Sequence, residues 1–163
     1  MKKIILSLSI LFLITGNVFS AGSSSSDDNA KTKSNYEKAV THIEAAKKHE
    51  KKGKLEKANK RYAKAQGLLI KSNNKKPNDA DTLNYLGFTT RKLGDFENGE
   101  KYYLQGLAID PNHKGINEYL GELYVATKRH NLAIERLEVL KSCNCEEFKE
   151  LELIIKTRGT KVY

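Results

Sequence analysis

Cys143–Asn144–Cys145 holds the only two cysteines of the 163-residue chain, and an acidic pair, Glu146–Glu147, follows them. Three chemistries are open to such a pair. Paired cysteines in an oxidising compartment ordinarily form a disulfide, and at this spacing the sulfurs meet only where the chain bends. Two thiolates would bind a soft ion such as Cu(I), with His113 and His130 joining if the fold brings them near. A redox switch is the third option. The four histidines, at 42, 49, 113 and 130, show no metal-ligating spacing among themselves. His42 and His49 stand two helical turns apart, too far to chelate one ion unaided.

Catalytic motifs are absent from the sequence. It has no nucleophile elbow, no phosphate-cradling glycine loop and no HExxH. Its acidic pairs suit helix starts, where negative charge is favoured. No enzymatic activity and no cofactor are expected.

Charge offers a further candidate. The stretch 47–64, "KKHEKKGKLEKANKRYAK", has nine lysines or arginines against Glu50 and Glu56. Lipid headgroups, lipopolysaccharide or nucleic acid would meet such a surface. Against this, the charges fall around two helices rather than along one stripe, and Tyr62 is the only interleaved aromatic. Lysine supplies 24 of the 29 basic residues, and lysine is less specific than arginine for phosphates. A solvated face is the simpler reading, and no nucleic-acid partner is expected.

The elements that position these residues begin after a leader. "MKK", an apolar run over Ile4–Thr15, and Val18 and Ser20 before Ala21 have the form of a secretory signal peptide. The run is short for a retained membrane span. The reading is a signal peptide over 1–20, a flexible polar leader over 21–34 and a periplasmic or secreted mature chain with no stable membrane anchor. Removing Lys2 and Lys3 lowers the formal charge from +9 to +7.

From Asn35 onward, apolar residues recur at helical spacing and no stretch alternates as a strand should. The expected helices come in pairs at about 35–72, 80–110 and 114–142, with a last helix over 146–157. "LNYLG" (83–87) and "NEYLG" (117–121) align at a shift of 34 residues, which also sets Gly99 over Ala133 and Tyr103 over Leu137. With Leu83, Leu86–Gly87, Phe96, Gly99, Tyr103 and Pro111, followed by Leu120–Gly121, Tyr124, Ala133 and Leu137, the chain resembles the tetratricopeptide repeat family. The resemblance covers about 35–142. It implies an all-α, right-handed α-solenoid of helix–turn–helix repeats, capped by the C-terminal helix. Gly87, Gly99, Gly106 and Gly121 then fall where close helix packing needs small residues. The first pair departs from the pattern: it precedes the next by 41 residues, an excess of seven, to be placed in two extra helical turns or a longer loop before Pro77.

The resemblance also implies a function. Such proteins bind partners on a concave face, lined here by Asn84, Phe88, Arg91 and Lys92, then Glu118, Glu122 and Val125, with Lys47 and Lys51 from the first pair. An exposed Phe88 beside Arg91 and opposite Glu122 would hold an extended peptide or a partner helix. Some exported bacterial members carry a cysteine pair followed by glutamates at this junction, a resemblance that favours a structural disulfide between Cys143 and Cys145. The expectation is an exported adaptor, scaffold or assembly factor for an unidentified protein or peptide. The alternatives are a soft-metal or redox protein using the two cysteines, and a polyanion-binding module using 47–64.

Overall fold

The computed structural model describes residues 33–159; the expected signal peptide and nearly all of the polar leader lie outside them. Among the described residues there are seven helices and no strand: α1 (Asn35–Lys51), α2 (Leu55–Lys75), α3 (Ala80–Lys92), α4 (Phe96–Ile109), α5 (Lys114–Ala126), α6 (His130–Leu140) and α7 (Glu146–Lys156). Local chemistry sets their ends. Ser34 and Glu37 close a capping box on α1, satisfying two otherwise unpaired backbone donors. Asp79 and Asp95 cap α3 and α4 by accepting from the Thr82 and Asn98 amides. His113 does the same for α5, its Nδ1 accepting from the Ile116 amide at 3.2 Å.

The turns inside the three pairs share one device. Gly53, Gly94 and Lys128 all adopt positive φ, at 67°, 95° and 64°. Their separations, 41 and 34 residues, repeat the offsets of the pairs themselves. Glycine enters this left-handed region without steric cost, whereas lysine does not.

Consecutive helices pack as antiparallel pairs, α1 on α2, α3 on α4 and α5 on α6, and α7 covers α5 and α6. The result is an α-solenoid with a terminal cap. Its core is continuous in kind: Ala39, Ile43, Ala46, Ala58, Ala65 and Leu86 fill the first part, and Ile116, Leu120, Leu123 and Ala133 the second. Small residues let the helices approach closely. A Cβ on Gly87 would lie 2.5 Å from the Tyr103 ring, and one on Gly121 would lie 2.6 Å from the Leu151 side chain. At Gly106 a Cβ would run into Ile116. Burial of these interfaces, at roughly 25 cal/mol per Å² of apolar surface, is what offsets the low helix propensity of glycine.

The seven-residue excess of the first pair is helical. Leu55 and Phe96 start α2 and α4 at the 41-residue offset, but α2 continues for 21 residues where α4 has 14. The extra two turns carry the buried Leu69. Before α7, Cys143 and Cys145 stand at disulfide distance with their Cα atoms 5.2 Å apart, and Asn144 between them bends the chain at φ 46°. Among the described residues, no helix is long and apolar enough to cross a membrane, and no group of three or more His, Cys, Asp and Glu is placed to hold a metal ion.

Candidate functional site

The first helix of each pair, together with α7, turns one face inward. Lys47 and Glu50 come from α1, Phe88 and Lys92 from α3, Glu118, Tyr119 and Glu122 from α5, and Glu150 from α7, and all line one cleft. Four separate helices therefore converge on it. The 3.6-residue period brings this about: Phe88, Arg91 and Lys92 share a face of α3, as Glu118 and Glu122 share one of α5.

Phe88 is the hub rather than an exposed contact. It is only 2 % exposed, contrary to the expectation of a free ring in the groove. Tyr62 meets it edge-on at 5.7 Å and Tyr119 lies tilted at 4.8 Å, centroid to centroid. The Lys47 ammonium sits 4.9 Å from its centre and donates to the Tyr119 hydroxyl at 3.1 Å. Phe88 thus packs between repeats, and Lys47 covers it as a cation over an aromatic face.

Ion pairs tie the inner helices together. Arg91 donates to Glu122 at 2.6 Å, with side chains 10 % and 11 % exposed. Burial opposes the charge on Arg91, yet Tyr103 and Glu122 together raise its pKa above the ordinary value. Lys92 and the Tyr62 hydroxyl each donate to Glu50 at 2.8 Å. Burial alone would raise the Glu50 carboxyl, but these two hydrogen bonds prevail and hold it below the usual range.

Glu118 behaves differently. Buried on α5, it has one carboxyl oxygen without a hydrogen-bond partner. Burial first, then the neighbouring Glu150 and Glu122, push its pKa far above the ordinary carboxylate range. Asn84, one turn before Phe88, is also buried and also has an unpartnered side-chain oxygen. Val125 lies with Arg91 and Lys92 along a second cleft of about 560 Å³ at the other end of α5. Asn84 and Glu118 line a third, of about 550 Å³, at the first turns of α3 and α5.

Tyr36, Tyr85 and Tyr119 on the wall of that third cleft were not among the sequence-read candidates. Register was the available signal, because Tyr85 and Tyr119 stand 34 residues apart, each just before a leucine–glycine. Burial first, then Asp81, raises the pKa values of Tyr36 and Tyr85. The basic run 47–64 divides between structure and solvent. Lys47 points inward and Lys60 pairs with Glu56 on the surface, while Lys51, Lys52, Lys54, Lys57 and Lys64 are exposed around both helices. Cys143 and Cys145 stand before α7 and line none of these three clefts. His113 is engaged with Asp81, its Nε2 lying 3.1 Å from the carboxylate.

No protein-family model matches the chain, and no curated protein matches it in sequence. Solved structures do. The first TPR of Spaghetti (RPAP3), bound to the HSP90 peptide SRMEEVD, is 20% identical, over 77% of this chain and 96% of that one, with a TM-score of 0.47. The Arabidopsis OM64 TPR domain is 17% identical, over 76% and 98%, with a TM-score of 0.47. The Yersinia enterocolitica type III secretion translocator chaperone SycD is 20% identical, over 74% and 88%, again at 0.47. The likeness is one of helix arrangement.

Proposed function

We propose that this chain is an exported protein–protein interaction module of the tetratricopeptide repeat type, which holds a peptide or protein partner on its inner face. The observation that carries the reading is the convergence of α1, α3, α5 and α7 on one cleft with a mixed charged and aromatic wall. Such a wall gives a polypeptide both apolar contact and hydrogen-bonding partners. Lys92 and Glu122 are the residues assigned to contact in this cleft; Asn84, Arg91 and Glu118 stand at buried positions beside them, and Phe88 supports the wall from beneath. Export rests on the character of residues 1–20, a basic start followed by an apolar run and small residues.

Crosslinking in intact cells tests the reading. A photoreactive residue replaces Lys51, exposed at the rim of the central cleft, and a control replaces Lys101, exposed on α4. A discrete partner captured at position 51 and not at 101 is the expected result. Equal capture, or none, overturns it. Export is checked separately by the N-terminus of the purified chain: Ala21 is expected, and Met1 in the cytosolic fraction overturns that part.

A further inference from the structure

One cleft is acidic in a chain whose formal charge is +9. The cavity of about 550 Å³ at the first turns of α3 and α5 carries Asp81, Asp110, Glu118 and Glu147 against Lys114 and His113. His113 is already committed, to Asp81 through one ring nitrogen and to the Ile116 amide through the other. Tyr36, Tyr85 and Tyr119 add aromatic walls, the first two with ring centres 5.9 Å apart.

A second observation is independent of this charge. Asn84 and Glu118 line the same cleft, are 6 % and 3 % exposed, and each keeps a side-chain oxygen with no hydrogen-bond partner. Asn84 Oδ1 is an acceptor, and the Glu118 oxygen becomes a charged one when its carboxyl gives up its proton. A buried acceptor is costly until a donor meets it. The donor that suits this wall is cationic, since carboxylates repel an anion and aromatic faces attract a cation. The adjoining central cleft shows the same chemistry within the chain, where the Lys47 ammonium lies 5.5 Å from the centre of the Tyr119 ring.

We propose that this cleft binds the side-chain cation of a lysine or arginine on a polypeptide partner, between the tyrosine rings and the oxygens of Asn84 and Glu118. The proposal rests on the inner face being a partner-binding surface. A polypeptide is the source because Glu118 and Tyr119 belong to both this cleft and the central one. A chain anchored here therefore runs on along α1, α3, α5 and α7. The proton that buried Glu118 holds in the free protein leaves to solvent when the cation takes its place.

The test is an NMR titration of the purified chain at neutral pH with Nα-acetyl-lysine methylamide. The norleucine analogue, which keeps the four-carbon chain and lacks the ammonium, is the control. Shifts at the Asn84 side-chain amide and at Gly115 are expected, with binding about tenfold tighter for lysine. Glu118→Gln weakens it about tenfold in a protein that still folds, and Lys114→Gln, which removes a like charge from the rim, tightens it about threefold. Equal binding of lysine and norleucine overturns the proposal, as does unchanged affinity in Glu118→Gln. Spermidine binding more tightly than a lysine-centred heptapeptide overturns the polypeptide source. A partner captured at position 51 with no lysine binding overturns this proposal alone. Lysine binding with no captured partner supports the cleft chemistry and overturns the interaction-module reading instead.

Discussion

Arg91 on α3 and Glu122 on α5 meet at 2.6 Å, and both side chains are about nine-tenths withdrawn from water. A pair so placed is costly to break and inexpensive to replace as a whole, because removing one partner strands the other charge. Glu122→Ala is expected to lower stability by about 3 kcal/mol. The double variant Arg91→Met, Glu122→Leu should recover most of that loss. Urea denaturation of the three proteins decides it, and a double variant no better than the single would contradict this account.

Lys128 occupies the turn position that Gly94 fills in the preceding pair, with φ 64°. Lys128→Gly relieves a left-handed lysine at the cost of a more mobile unfolded chain. A net gain of about 0.5–1 kcal/mol is expected. A fall in thermal midpoint would show that the lysine side chain contributes contacts that outweigh its backbone strain.

Two helical glycines should respond to alanine with opposite signs. Gly67 on α2 has nothing within 4 Å of the position a Cβ would take, so Gly67→Ala gains up to about 1 kcal/mol of helix propensity. Gly87 faces the buried Tyr103 ring, so Gly87→Ala costs about 1–3 kcal/mol through overpacking. Chemical denaturation of the two variants side by side checks the contrast, and equal signs would contradict the close-packing role given to Gly87.

Acidity provides a fourth measurement. Burial, then Glu150 of α7 and Glu122 of its own helix, raise the Glu118 pKa in the fold, with Lys47 of α1 opposing them. A carboxyl raised in the fold binds its proton more tightly there than in the unfolded chain. Its contribution to stability is therefore present below the unfolded value near 4.5 and is lost as pH climbs toward the folded one. Glu118→Gln removes that slope. The variant should melt several degrees higher than the parent at pH 8 and nearly with it at pH 4.5. An advantage that does not grow with pH would contradict the assignment.

Much of this architecture is legible from spacing, because repeats encode packing locally. The 34-residue shift between Gly87 and Gly121 fixes which helix faces approach, and the structure presses Tyr103 and Leu151 onto those two glycines. The all-α solenoid follows from that register. The location of the seven extra residues is not legible, since helix and polar loop share the composition of "KSNNKKPNDA" until Leu69 finds burial. The site is less legible still. Phe88 reads as a groove residue by position, yet Lys47, Tyr62 and Tyr119 close over it from three other helices. Pairing of Glu50 with Lys92 depends on how adjacent repeats rotate, which no periodicity states.

The Lys47–Tyr119 hydrogen bond joins residues 72 positions apart, from the first pair of helices to the third. Repeat arrays ordinarily touch only their neighbours, and so tolerate gain or loss of a unit. This one closes like an arch, with Phe88 under the keystone. A repeat spliced in between α4 and α5 would push Tyr119 beyond the reach of Lys47 and unroof Phe88. Insertion between these pairs would cost the chain this contact, so the middle pair is held from both sides by a single cation and a single ring.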